Sequence, residues 1–325
     1  MDTNQIFEIS STEEFNSLAL KIFRFQYKNT AVYREFCDYL GVSSKSVSKL
    51  EEIPFLPIEL FKYKEIKARY SVTEICFKSS GTTGGTPSKH YVADLGLYRT
   101  SFRKTFSKFY GNIGDYCVLA LLPSYLERKD SSLVYMVHDL IGQSNHASSG
   151  FYLDDYTKLA GTLEKLDRQG TPVILIGVTF ALVELASQFK LNLHNTTVIE
   201  TGGMKGRRKE MIRAELHRYL QDAWGISEVH SEYGMTELLS QAYSSNSGIF
   251  HCPKWMRILI RDTEDPMSLL GADSTGGINI IDLANIYSCS FLATQDLGKL
   301  SKGGGFEVLG RFDHSDIRGC NLMIM

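Results

Sequence analysis

The chain lacks an excess of either charge: 35 lysines and arginines stand against 37 aspartates and glutamates over 325 residues, with no long block of one sign. That balance excludes the electrostatic footprint of a nucleic-acid or anionic-membrane binder and leaves a small molecule as the default partner. Long hydrophobic runs are missing too. The longest apolar stretch, Pro172 to Val183, ends at Glu184, well short of a membrane span. The opening MDTNQIFEISSTEEF has no basic segment followed by an apolar one, so a soluble, cytoplasmic protein is expected. The cysteines, Cys37, Cys76, Cys117, Cys252, Cys289 and Cys320, include no C-x-x-C pair, which fits neither a disulfide framework nor a zinc site. Reduced and mostly buried thiols are expected. No repeat, low-complexity tract or polar linker divides the chain, so any subdomains should pack closely.

What is present reads as α/β. A chain of 325 residues exceeds the size at which one hydrophobic core usually stops growing, so one large or two modest domains are expected. STEEF marks a helix start with Ser11 as cap and Glu14 three residues on, and Phe15, Leu18, Ile22 and Phe25 follow at helical spacing. A second helix is predicted from Ala31 to Leu40, stopped by Gly41. Pro54 and Pro57 make EEIPFLPIELFKYKEIK an extended connector. From residue 72, the β-rich runs VTEICFK, YCVLALLP, PVILIGVTF and TTVIETGG alternate with helices predicted near 92–108, 129–142, 156–168, 180–190 and 205–222. That alternation predicts a largely parallel buried sheet. After about residue 245 the strands of a smaller β-rich subdomain follow: GIFHCPKWMRILIRD, GGINIIDL, SCSFLAT and GGFEVLGR. The expected division is 1–70, a helical segment and connector; 71–245, the α/β core; and 246–325, the β-rich part.

The stretch FKSSGTTGGTPSKHY, residues 77–91, poses the functional question. Glycines and hydroxyls after an apolar strand bring backbone N–H groups to a phosphate, donate O–H bonds and seat an anion at a helix start. The same composition also makes a plain surface turn. Counting excludes two rivals: Thr86 stands where a P-loop needs its second glycine, and G-x-G-x-x-G is absent. SSGTTGGTPSK resembles the phosphate loop of the adenylate-forming enzymes, the superfamily of acyl-CoA synthetases, peptide-synthetase adenylation domains and luciferases. The usual form is S-G-T-T-G-x-P-K; here one extra residue precedes the proline, and Ser88 precedes Lys89.

Three more stretches continue the resemblance in order. SEYGMTE is similar to the adenine and magnesium motif, ATQDLGKL to the T-G-D-L motif with Gln295 in place of glycine, and GRFD to the motif that follows. The resemblance implies ATP cradled by Ser79, Ser80, Gly81, Thr82, Thr83 and Gly84. It sets Tyr233 and Gly234 beside the adenine, Thr236 on phosphate, and Glu237 on Mg²⁺. Asp296 falls on the ribose hydroxyls, Arg311 on ribose or phosphate, and Asp313 at a hinge. Gly202 and Gly203, ahead of a helix, are placed against the adenine. Chemistry alone allows each role, since a carboxylate accepts two hydroxyls, a carboxylate suits a hard cation and an aromatic ring offers a face. Taken singly, Asp296 reads equally as a strand-end cap, Glu237 as a solvated helix start and Tyr233 as core.

Superfamily members usually continue for about a hundred residues as a lid that brings a catalytic lysine, whereas this sequence stops soon after Asp313. Along nearly its whole length it resembles the short branch, the acyl-protein synthetases of the LuxE family, through IPFLPIELFK, LLPSYLERKDSSLVYMV and the tail DIRGCNLMIM. That resemblance implies activation of a fatty acid as acyl-adenylate, transfer to a cysteine matched by Cys320, and delivery to a reductase or acyltransferase partner. An arginine at 318 suits a lowered thiol pKa. Lys89, Lys205 and Arg311 are the candidates to neutralise phosphate charge in place of the lid lysine. Two alternatives stay open: an acyl- or aryl-CoA ligase with CoA as acceptor, and a non-catalytic nucleotide- or acyl-binding subunit.

Overall fold

A computed structural model describes residues 2–80, 86–123, 130–202, 211–245 and 247–311. The N-terminal part holds α1 (Thr12–Asn29), α2 (Ala31–Tyr39), β1 (Leu56–Pro57) and α3 (Leu60–Tyr63). The middle runs β2 (Ile75–Lys78), β3 (Lys89–Val92), α4 (Leu95–Tyr110), β4 (Cys117–Leu121), α5 (Ser132–Ser144), β5 (Gly150–Phe151) and α6 (Tyr156–Arg168). It continues with β6 (Val173–Val178), α7 (Thr179–Gln188), β7 (Thr196–Thr201), α8 (Arg213–Trp224), β8 (His230–Tyr233) and β9 (Ala242–Ser244). Six strands close the described chain: β10 (Ile249–Phe250), β11 (Met256–Arg261), β12 (Leu269–Leu270), β13 (Thr275–Asp282), β14 (Phe291–Leu300) and β15 (Phe306–Arg311).

Local chemistry explains where helices begin. The Ser11 hydroxyl accepts the Glu14 N–H at 3.2 Å, and α1 then buries Phe15, Leu18, Ala19, Ile22, Phe23 and Gln26 on one face. Asp94 caps α4 in the same way, accepting the Leu97 N–H at 3.1 Å. Gly41, at φ +69°, follows α2 as expected of a helix stop. The helix predicted over 205–222 begins later, at Arg213, with residues 203–210 outside the described ones.

Six strands form the central sheet in the order β5-β4-β6-β7-β8-β9, parallel from β5 to β8 and antiparallel at β9. Every residue of β4 and β6 is buried, as a parallel sheet covered on both faces requires. VTEICFK departs from expectation: among the described residues β2 pairs with β3 alone, as a separate antiparallel hairpin. The second large sheet has the order β10-β15-β14-β13-β11-β12.

The N-terminal part closes onto this second sheet. Strand β1 runs parallel to β14, with Leu56 opposite Leu292 and Pro57 opposite Ala293, and the Ile58 N–H donates to the Ala293 carbonyl at 2.9 Å. The connector is therefore not extended throughout, because the short α3 follows β1 and buries Phe61. From α1, the buried Gln26 amide donates to the carbonyls of Asn285 and Ile286 at 3.0 and 2.9 Å. Among the described residues no helix is long and apolar enough to cross a membrane. Cys37, Cys76, Cys117, Cys252 and Cys289 are free thiols, three of them buried; Cys320 lies outside the described residues.

Candidate active site

The glycine-rich loop joins two antiparallel strands, so it does not lead into a helix start; any phosphate it holds would meet a hairpin loop. Its mouth is closed by two bonds, from the Ser79 N–H to the Ser88 carbonyl at 3.1 Å and from the Ser88 N–H to the Ser79 hydroxyl at 2.9 Å. Ser80 is exposed, and Gly81, Thr82, Thr83 and Gly84 lie outside the described residues, as do Gly203, Lys205, Asp313, Arg318 and Cys320. Lys89 is exposed and stands opposite Lys78 where β3 begins.

Downstream, the sheets bring together residues far apart in the chain. Tyr233 ends β8, only 8 % exposed, and its hydroxyl donates to Asp296 Oδ2 at 2.7 Å. Its ring packs edge-on against Phe306 at 5.4 Å and tilted against Phe250 at 5.8 Å. Asp296 lies inside β14 opposite Arg311 of β15, whose Nε is 3.4 Å from Asp296 Oδ1. It is thus no strand-end cap. Both of its oxygens already have partners within the chain, so ribose hydroxyls would share or displace them. Burial pushes the Asp296 carboxyl up, against the Tyr233 hydroxyl and the Arg311 and Arg261 charges, while burial and then the Asp296 charge raise the Tyr233 phenol.

Glu237 is 7 % exposed and belongs to no helix, which removes its reading as a solvated helix start. Burial raises its pKa, opposed by a hydrogen bond with Ser88 and the Arg311 charge, and Asp296 raises it further. A desolvated carboxylate beside Ser88 is a donor of the kind a hard cation takes. No group of three or more His, Cys, Asp and Glu that could hold a metal gathers among the described residues. Thr236, next to it, is half-buried.

Register brings Gly202 and Tyr233 together. Thr201 of β7 lies opposite Glu232 of β8, so Gly202 and Tyr233 leave adjacent strand ends. Gly202 has φ +71°, which favours glycine, and its carbonyl accepts the Thr179 hydroxyl. A Cβ at Gly234 would meet Glu232 Oε1, so a side chain there would require that carboxylate to move.

Two groups of buried polar residues escaped the sequence reading. On β7 and β8, Glu200 accepts the Thr179 hydroxyl at 3.1 Å, and Glu232 accepts that of Thr201. Burial drives Glu200 up most strongly, but bonds with His217 and Ser231 and the Arg213 charge together hold it below its ordinary value. Burial, with the Glu200 charge adding to it and the Thr201 bond opposing it, carries the Glu232 pKa to about 7. Beside the motif, His90 Nδ1 lies 2.8 Å from the Thr236 carbonyl, and the Asn285 amide donates to the Glu237 carbonyl at 2.8 Å. Asp282 accepts the Leu239 and Ser240 N–H groups at 2.8 and 3.0 Å. The period of two along β3, which buries His90 and Val92, was the one available signal for His90.

The model of the acyl-protein synthetase, LuxE, family matches residues 4–325. The chain belongs to that family. It is 22 % identical to a long-chain-fatty-acid–luciferin-component ligase of Aliivibrio fischeri, over 94 % of this chain and 86 % of the relative. To the ligase of the same name from Vibrio harveyi it is 23 % identical, over 99 % and 90 %. An open conformation of 2-hydroxyisobutyryl-CoA ligase with 2-HIB-AMP and CoA superposes with TM-score 0.70 at 11 % identity, covering 93 % of this chain and 70 % of that one. ATP-bound MatB from Rhodopseudomonas palustris superposes with TM-score 0.56 at 18 % identity, covering 74 % of this chain and 48 % of that one, so the match spans about half of MatB. These likenesses show the adenylate-forming fold: mixed α/β, with a smaller β-rich part. Family membership makes the protein an ATP-dependent acid-activating ligase.

Proposed function

We propose that the protein converts a long-chain fatty acid to its acyl-adenylate and then holds the acyl group as a thioester on Cys320, for delivery to an acyl reductase or acyltransferase. The observation that carries this reading is the meeting of Tyr233, Asp296 and Arg311 beside the buried Glu237, with the Tyr233 hydroxyl 2.7 Å from Asp296 although the two are 63 residues apart. In the first step a carboxylate oxygen attacks the α-phosphorus of ATP and pyrophosphate leaves. In the second, the Cys320 thiolate attacks the acyl carbonyl and AMP leaves, the strong thiol nucleophile replacing a good leaving group.

Segment 71–245 supplies the phosphate loop and the Gly202–Gly203 pair, 246–325 supplies Asp296, Arg311 and Cys320, and 1–70 braces β14. Tyr233 and Gly234 border the adenine, Asp296 takes the ribose, and Ser79 to Gly84 with Thr236 surround the phosphates. Glu237 would hold Mg²⁺, which when bound supplies positive charge to the phosphate oxygens. Lys89, Lys205 and Arg311 are the candidates to offset charge on the departing pyrophosphate.

The test is intact-protein mass spectrometry after incubation with ATP, Mg²⁺ and a panel of carboxylic acids. An acyl-sized mass gain on the wild type that hydroxylamine removes, absent from Cys320→Ser, is the expected result. Acylation that persists in Cys320→Ser would refute the cysteine assignment. AMP release that requires CoA, without acylated protein, would replace it with a CoA ligase.

A further inference from the structure

The phosphate-loop hairpin and the Thr236–Glu237 segment come from opposite halves of the chain, and the site works only if they hold a fixed separation. Phosphates would be gripped from one side by the loop and from the other by Thr236 and the Glu237-bound cation. A shift of one against the other by about 1 Å is enough to spoil such a site. The contacts that fix the separation are therefore as informative as those that face the ligand.

His90 makes the most direct of them. It follows Lys89 in β3, is fully buried, and has Phe77 of β2 opposite it and the Phe61 ring edge-on at 5.6 Å. Its Nδ1 is 2.8 Å from the Thr236 carbonyl across 146 residues of sequence, and its Nε2 is 3.0 Å from Asn285 Oδ1. Asn285, itself buried, turns its amide to the next carbonyl, that of Glu237, at 2.8 Å. The two consecutive carbonyls ahead of and at the cation-binding carboxylate are thus each held by a buried side chain from another element. Asn285 is tied in turn to α1, since its own carbonyl accepts the Gln26 amide at 3.0 Å. Both ring nitrogens face oxygens and a neutral imidazole has one N–H; because a backbone carbonyl can only accept, the bond to Thr236 is made by the tautomer that carries the proton on Nδ1.

The geometry points to His90 as a positioning residue for ATP. Through its Nδ1–H it locks the phosphate-loop hairpin against the Thr236–Glu237 segment, with Asn285 completing the clamp. This rests on the ATP site proposed above. His90 touches neither nucleotide nor acid, and its effect is on how well the two halves of the phosphate cradle are preset.

The test uses side chains that imitate one ring nitrogen each. The amide nitrogen of asparagine falls near Nδ1 and that of glutamine near Nε2, so His90→Asn keeps the donor to Thr236 and His90→Gln loses it. Equilibrium binding of MgATP is measured by calorimetry on the full chain, alongside the thermal midpoint and acid-dependent pyrophosphate exchange. His90→Gln is expected to weaken MgATP binding at least tenfold, and His90→Asn to stay within about threefold of wild type at a similar loss of thermal midpoint. If His90→Gln does not fold, Asn285→Ser, which frees the Glu237 carbonyl and leaves the hairpin intact, is expected to weaken binding several-fold. Wild-type affinity in the glutamine variant, or equal losses in both His90 variants that track their midpoints, would overturn the positioning role. MgATP binding without exchange for any acid would defeat the proposed reaction and leave the His90 result standing, whereas a wild type that binds no MgATP would overturn both.

Discussion

Replacing Glu232 by glutamine should make the protein more stable as the pH rises. Glu232 is buried within β8, accepts the Thr201 hydroxyl, and lies near the negative Glu200. The phenols of Tyr98, Tyr110 and Tyr243 sit within its field on the other side, each pushed up by burial and, next, by the Glu232 charge. Burial raises its pKa from 4.5 to about 7. An acid whose folded pKa is raised costs nothing while both states hold the proton, and it costs stability as the pH rises because the unfolded chain releases its proton first. Stability therefore falls as pH rises from about 4.5 and levels off above about 7. The full penalty for a shift of this size is roughly 3 kcal/mol. Glutamine keeps an oxygen for Thr201 and carries no charge. Urea unfolding of wild type and Glu232→Gln at half-unit steps from pH 4.5 to 8.5 should show a gap that widens in favour of the variant by about 3 kcal/mol and then stays constant. A gap that does not change between pH 5 and 8 would show that Glu232 is ionised throughout, and the desolvation argument would fail.

Two further outcomes follow from single bonds. Tyr233→Phe keeps the ring among Phe250 and Phe306 but removes the 2.7 Å bond to Asp296, leaving that carboxylate less well oriented for a ribose. Unfolding stability should drop by about 1–2 kcal/mol, and titration calorimetry should find MgATP bound several-fold more weakly. Gln26→Ala removes the buried amide that serves Asn285, Ile286 and Ser290, so denaturant unfolding should lose about 3 kcal/mol, a cost outside the range of surface substitutions.

The elements that sequence reading located are those whose cause is local. Ser11 caps α1 because a hydroxyl beside Glu14 needs no distant partner, and β6 and β7 follow from unbroken apolar runs. Where the cause lies elsewhere in the chain, the reading stopped. VTEICFK has the composition of a sheet-core strand, yet its partner is β3, ten residues on, and nothing local distinguishes the two outcomes. Strand β14 runs from Phe291 through Leu300, past the polar Gln295, Asp296 and Lys299, where alternation of apolar residues fails as a guide. The candidate site shows the same division. Tyr233, Glu237, Asp296 and Arg311 were legible as motif residues. His90, Asn285, Asp282 and Glu232 were not, since each acts through a partner supplied by the fold.

The substitution of Gln295 for the glycine of the T-G-D-L motif illustrates how a departure in sequence acquires a physical meaning. Its amide donates to Glu59 Oε1 at 3.0 Å, and its oxygen lies 3.4 Å from Arg311 Nη2, next to the Asp296 carboxylate. Glu59 belongs to IPFLPIELFK, and that stretch is held against β14 by the pairing of Leu56 and Pro57 with Leu292 and Ala293. A glycine at 295 would remove this contact from Glu59 and one of the contacts that orient Arg311, whose side chain is 73 % exposed. Two features that look independent in the sequence, an unusual N-terminal stretch and an altered ribose motif, are therefore the two ends of one contact. That contact joins the first 70 residues to the corner of the site where ribose would bind.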